Sequence, residues 1–146
     1  MNAICKWLVL AGLSACSYQP GSFRDRAGKW PGTATTLGCI DVAVASGDDD
    51  AIAYSVGNRC EHRVVVDLAS VRAVARDIHG REVPLVADDP RRELRPLALG
   101  AMWSGHAQIA YRGDVASSTS ICVDVGRVDR SVAASERWIC IAKEIR

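Results

Sequence analysis

The sequence predicts an all-β domain: an antiparallel, immunoglobulin-like β-sandwich of about seven short strands, with a small β-barrel as the second architecture. Three observations carry this. Apolar residues recur at every second position in short runs, the period of a strand with one buried face. Gly, Asp, Asn and Ser cluster between those runs, where a chain has to turn. The one long stretch without alternation holds Pro90 and Pro96, which rule out an uninterrupted helix. Short strands spaced by turns, with no long helix, suit sheet packed on sheet or a closed sheet.

Taken in order, Ile40, Val42 and Val44 alternate with Asp41, Ala43 and Ala45 and read as the first strand. Gly47-Asp48-Asp49-Asp50 is a turn, and Ile52, Tyr54 and Val56 resume the alternation, so the pair predicts a hairpin. Gly57-Asn58-Arg59 ends it. Val64, Val66 and Leu68 form the next strand, and Val71 to Ile78 a fourth, ended by His79-Gly80. Glu82 to Val86 reads as an edge strand, because Pro84 cannot donate a ladder hydrogen bond. Ala87 to Gly105 reads as a long crossing loop. Ala107, Ile109 and Tyr111 make another strand, closed by a turn at Arg112-Gly113-Asp114. Beyond the serine cluster at Ser117 come Ile121, Val123 and Val125. Asp129 to Ser135 suits one or two helical turns, and Trp138 to Ala142 is the last strand. The Cys-Trp-Cys hallmark of antibody domains is missing, so the likeness to them is architectural only.

The amino-terminal segment has a different character. Lys6 precedes the apolar run Trp7-Leu8-Val9-Leu10-Ala11-Gly12, and small residues follow, which is the three-part plan of an export signal. The run is far short of the roughly 20 residues that span a bilayer. It ends in Leu13-Ser14-Ala15-Cys16, which resembles the lipobox of bacterial lipoproteins. The resemblance implies cleavage before Cys16, a diacylated thiol and an acylated new amino terminus. Ser17 stands where an Asp would imply retention in the inner membrane, so the outer membrane of a Gram-negative cell is the expected address. Three segments follow: 1–15 as signal peptide, 16–36 as lipidated cysteine and flexible tether, and 37–146 as the β-domain. The tether is read from breakers such as Pro20-Gly21-Ser22 and Pro31-Gly32-Thr33. An arm of about 20 residues would span about 25 Å.

Lys6 is the only charge in residues 1–15, so of the 18 basic and 17 acidic residues in the chain, 17 of each lie beyond it. Without a clustered basic excess, no nucleic-acid partner is expected. Cys39, Cys60, Cys122 and Cys140 lie in the domain, and an even set in an exported chain reads as a disulfide framework. Folding the first hairpin about Asp48–Asp50 brings Cys39 opposite Cys60. Folding Cys122 back about residues 130–132 does the same for Cys140. Of three connectivities, Cys39–Cys60 with Cys122–Cys140 is the expected one.

No catalytic residue is expected. There is no Gly-x-Ser-x-Gly elbow, and Ser104-Gly105-His106 places a hydroxyl and an imidazole along one strand edge rather than in hydrogen-bond geometry. His62, His79 and His106 lack metal-ligand spacing, and Asp48-Asp49-Asp50 lacks the distal bidentate Glu of a calcium loop, so no metal or cofactor is expected. The partner surface is sought in the irregular loop, at Trp103, Asp88, Asp89, Arg91 and Arg92, with Trp138 as a second aromatic. The functional expectation is a non-catalytic module tied to the membrane by lipid and binding another envelope protein or polymer. An inhibitor of an exogenous lysozyme or protease, or a metal-handling protein using the three histidines, is the alternative.

Overall fold

Ten strands form in a computed structural model of the chain, which describes residues 17–29, 31–47, 51–88, 96–129 and 135–143. They are β1 (Ala34–Leu37), β2 (Ile40–Ser46), β3 (Ile52–Asn58), β4 (Val64–Val66), β5 (Arg72–Arg76), β6 (Glu82–Asp88), β7 (Leu97–Leu99), β8 (Ser104–Arg112), β9 (Ser120–Asp124) and β10 (Trp138–Ala142). The protein is all-β and antiparallel. Eight strands share one sheet in the order β1-β2-β3-β8-β6-β5-β9-β10, and β4 pairs with β7 in a second sheet.

The large sheet curls until its ends almost meet. Its last strand, β10, approaches β2, and the Arg137 guanidinium donates to the Thr35 hydroxyl across the gap at 2.8 Å. The all-β, antiparallel expectation holds, and one of the two sheets is nearly closed and barrel-like.

Alternation decides which side chains fill it. Val42 opposes Val56, Val44 opposes Tyr54, and Ile52 opposes Ile109, so these residues share the inner face. Ala73 and Ala75 oppose Val123 and Ile121 across β5 and β9, and Ile139 completes the row on β10. All of these are buried. Each fully buried aliphatic side chain contributes about 1.5–3 kcal/mol, which is why a domain with few aromatics can hold together on Val, Ile and Ala. Tyr54 is the exception inside. Its hydroxyl bonds that of Tyr111, so a polar atom taken out of water keeps a partner.

Several strand expectations needed correction. Ala34–Leu37 is a strand, where the sequence reading placed the end of a tether. Leu97–Leu99 is another, inside the supposed crossing loop, and it pairs with β4 to cover one end of the core. Neither segment shows a clean alternation, and short strands leave little periodicity to detect. Pro84 does not lie on an edge strand, since β6 stands between β5 and β8. The proline is tolerated because β8 pairs only with Val86–Asp88, leaving that side of β6 unpaired at position 84. Leu68 and Val125 belong to single 3-10 turns rather than strands. The turn at Asp48–Asp50 and most of the expected helical turn at 129–135 lie outside the described residues.

Both disulfides match the expected connectivity. Cys39–Cys60 bridges the loops at the ends of β2 and β3, with Cα atoms 5.1 Å apart. Cys122 and Cys140 are direct cross-strand partners on β9 and β10, with Cα atoms 4.0 Å apart.

Candidate functional site

The register places one set of loops at the same end of the barrel. β2 starts there at Ile40, β3 finishes at Asn58, and β8 starts at Ser104. This proximal end carries residues 38–40, 58–63 and 100–103. The opposite, distal end carries the turns at 77–81 and 113–118.

On the outer face at the proximal end lies a buried carboxylate. Asp41 has no exposed surface, although the alternation of β2 points it away from the core. Three groups replace its water. The Tyr18 hydroxyl donates to Oδ2 at 2.5 Å, and the Thr36 hydroxyl donates to Oδ1 at 2.9 Å. The Arg59 Nε lies 3.1 Å from each oxygen, and its Nη2 also donates to the Gly38 carbonyl. A buried charge without such company would cost several kcal/mol. Here each oxygen has partners.

Tyr18 comes from the segment read as a tether. Its ring is 4% exposed and lies where a side chain at Gly57 would stand, and Gly57 opposes Asp41 in the ladder. Its amide donates to the Met102 carbonyl. Burial first, then the hydrogen bond to Asp41 and its charge, push the phenol well above the ordinary tyrosine range. The segment beyond it is folded locally as well. Asp25 accepts the amides of Ala27 and Lys29, and the Phe23 ring sits 5.5 Å from that of Tyr18. The described part of 16–36 therefore belongs to the domain.

A second buried polar residue gathers the neighbouring loops. Asn58 is fully buried, and its Nδ2 donates to the carbonyls of His62, Leu99 and Gly100. Its Oδ1 accepts the Cys60 amide. The turn from Gly100 to Trp103 closes with a Trp103 amide to Gly100 carbonyl bond, and within it Met102 holds φ at 60°. Such a left-handed backbone costs a non-glycine residue about 1–3 kcal/mol and persists only where its surroundings impose it. Here the imposing bonds are visible. The Met102 carbonyl holds the Tyr18 amide, and the Trp103 carbonyl holds the Asn58 amide. Trp103 remains 52% exposed.

The other expected site residues do not gather there. Asp88 sits on β6 opposite Ala110, about 23 Å along β8 from Trp103 at a strand rise near 3.3 Å per residue. Its carboxylate is bound by Arg112. Asp89, Arg91, Arg92 and Cys16 lie outside the described residues. Trp138 is half-buried beneath the Arg72 guanidinium, 5.3 Å from the ring centroid, so it serves packing. The histidines are dispersed: His62 is proximal, His79 distal, and His106 sits mid-strand with Nδ1 2.9 Å from the Ser55 hydroxyl. Among the described residues, no three His, Cys, Asp or Glu side chains converge on a point that could hold a metal. A wide-open cleft of about 790 Å³ lies between the 20–28 segment and Arg59.

Sequence reasoning missed Tyr18, Asp41, Arg59 and Met102. One signal was available: Asp41 is the lone charge on an outward strand face otherwise made of Ala43 and Ala45. The tyrosine that satisfies it lies 23 positions earlier, beyond the reach of any local pattern.

No protein family and no curated protein matches the sequence. Among solved structures, the chain is similar to the yjhA protein from Bacillus subtilis, at 10% identity, with a TM-score of 0.49 over 75% of this chain and 94% of that one.

Proposed function

We propose that the chain is an envelope lipoprotein, acylated at Cys16 and held on the outer membrane of a Gram-negative bacterium, whose β-domain binds another envelope protein or polymer and performs no catalysis. The observation that carries this reading is Leu13-Ser14-Ala15-Cys16 at the end of a short apolar leader. Two disulfides support it, because they persist in the oxidising compartments beyond the inner membrane. The barrel-like sheet also divides into β1-β2-β3-β8 and β6-β5-β9-β10, joined by the short β6–β8 ladder. We read these halves as the two layers of an immunoglobulin-like sandwich.

A partner surface of this domain lies on the outer face of β6. Val86 is 70% exposed there, opposite Arg112 in the ladder, with the Arg112–Asp88 ion pair beside it. In this reading Val86 is the apolar centre of a contact whose rim is charged, the arrangement that protein interfaces use. Asp88 thus keeps a place in the binding surface, without Trp103.

Cys16→Ser should abolish palmitate incorporation and release the protein from membranes. Continued membrane fractionation of that variant would refute the anchor. Val86→Glu should leave folding intact and eliminate crosslinks to a neighbouring envelope component in cells. Unchanged crosslinks would refute the surface.

A further inference from the structure

The Tyr18 contact changes the geometry of the anchor. Only Ser17 separates a latched Tyr18 from Cys16, and two Cα–Cα steps span at most about 7.6 Å. The headgroup layer on each side of a bilayer is about 5–7 Å thick, the difference between the hydrocarbon core and the full membrane. An acylated Cys16 must bring its thioether to the base of that layer. The end of the domain that holds Tyr18 is then drawn into the headgroups.

We propose that the proximal end of the barrel is a bilayer-docking face, occupied by the headgroup layer of the membrane that carries the Cys16 acyl chains. The proposal rests on acylation of Cys16. The Gly100–Trp103 turn is its apolar tip, and Arg24, Arg26 and Lys29 form its rim.

Three features fit that occupant. The tip and the anchor arm are one piece, since the Tyr18 amide bonds the Met102 carbonyl at the strained residue of the turn. Trp103 is half-exposed where an aromatic ring would meet the membrane interface, the level at which Trp is enriched. Arg24, Arg26 and Lys29 are exposed on the same arm, three cations against its one acid, Asp25. That leaves a basic rim suited to lipid phosphates. The docked domain directs its distal end, where Ile78 is 76% exposed, away from the bilayer.

The test uses the full acylated chain in bacterial membranes, with a photo-crosslinking amino acid at position 103 or at position 78. Lipid adducts are expected at 103 and not at 78. A Gly/Ser spacer of about 12 residues between Ser17 and Tyr18, spanning about 19 Å, keeps both latch and lipid but lengthens the leash. It should eliminate the adducts at 103 while palmitate incorporation stays unchanged. Equal labelling at both positions, protein adducts in place of lipid at 103, or adducts that survive the spacer would each overturn the docking face. Absence of palmitate on residue 16 would overturn the lipoprotein reading and the docking face with it, so the palmitate readout tells the two failures apart.

Discussion

The phenol of Tyr18 stands in the space that a side chain at Gly57 would need, so the amino-terminal arm docks only because position 57 has no Cβ. The two residues lie 39 positions apart in the sequence. Their contact turns a candidate leash into a fixed strut.

Gly57→Ala should therefore expel the arm without altering Tyr18 itself. Gly57 does not hold a positive φ, so the cost comes from the ring and not from the backbone. Tyr18→Ala should give a similar loss, about 2–4 kcal/mol, from a buried aromatic ring and the hydrogen bond to Asp41. Because both variants remove one interaction, the double variant should cost little more than either alone. Denaturant unfolding of the four proteins measures the coupling, and additive losses would contradict the contact.

How much of this was legible in the sequence follows from range. Strands with strict alternation, such as Ile40–Ser46 and Ile52–Asn58, are written in period-two apolar residues, and the hairpin they form fixed the Cys39–Cys60 pairing. The Cys122–Cys140 pairing followed from the β9–β10 ladder in the same way. The curling of the sheet was legible only as the second architecture, a small barrel, because it depends on β6 bridging β5 and β8 across sequence-distant partners. The Asp41 cluster was hidden for the same reason. Its members come from the arm, β1, β2 and the loop after β3, and no spacing rule connects them.

All three tyrosines of the chain, Tyr18, Tyr54 and Tyr111, have phenols pushed above the ordinary value, and burial is the first cause for each. In the unfolded chain they ionise near pH 10. Because the folded values are raised, the stability they contribute is whole below about pH 10 and is lost as pH climbs beyond it toward the folded values. Tyr54 alone should steepen the fall by up to about 1.4 kcal/mol per pH unit. The native protein should thus show no tyrosinate absorbance near pH 10, and the signal should rise together with the loss of β-sheet circular dichroism. Early tyrosinate absorbance in folded protein would contradict the burial of these rings.

The two disulfides differ in access. Cys140 is exposed on β10 although its partner Cys122 is fully buried, whereas Cys60 is 5% exposed and Cys39 is half-buried. Mild reduction followed by alkylation should label Cys140 first, with Cys122, Cys39 and Cys60 labelled only as the domain unfolds. Each bridge closes a loop of about 20 residues and contributes about 3 kcal/mol in the chain-entropy model, so loss of either should lower the melting temperature markedly. Mass spectrometry of the alkylated peptides against reductant concentration measures the order, and simultaneous labelling of all four would contradict it.

Asn58 provides the last test, because its amide ties three loop carbonyls at the proximal end. Asn58→Asp keeps the shape and still accepts the Cys60 amide, but it replaces the donors with an acceptor facing the carbonyls of His62, Leu99 and Gly100. Burying that charge against lone pairs should cost about 3–5 kcal/mol at neutral pH. Asn58→Ala should cost about 1–3 kcal/mol, since it removes the donors without adding repulsion. The Asp variant should also recover stability as pH falls through the carboxylate range, where protonation restores one donor, while the Ala variant should not. Thermal melts of both variants at neutral and mildly acidic pH separate these outcomes, and equal losses at both pH values would show that the three carbonyls do not depend on the Asn58 amide.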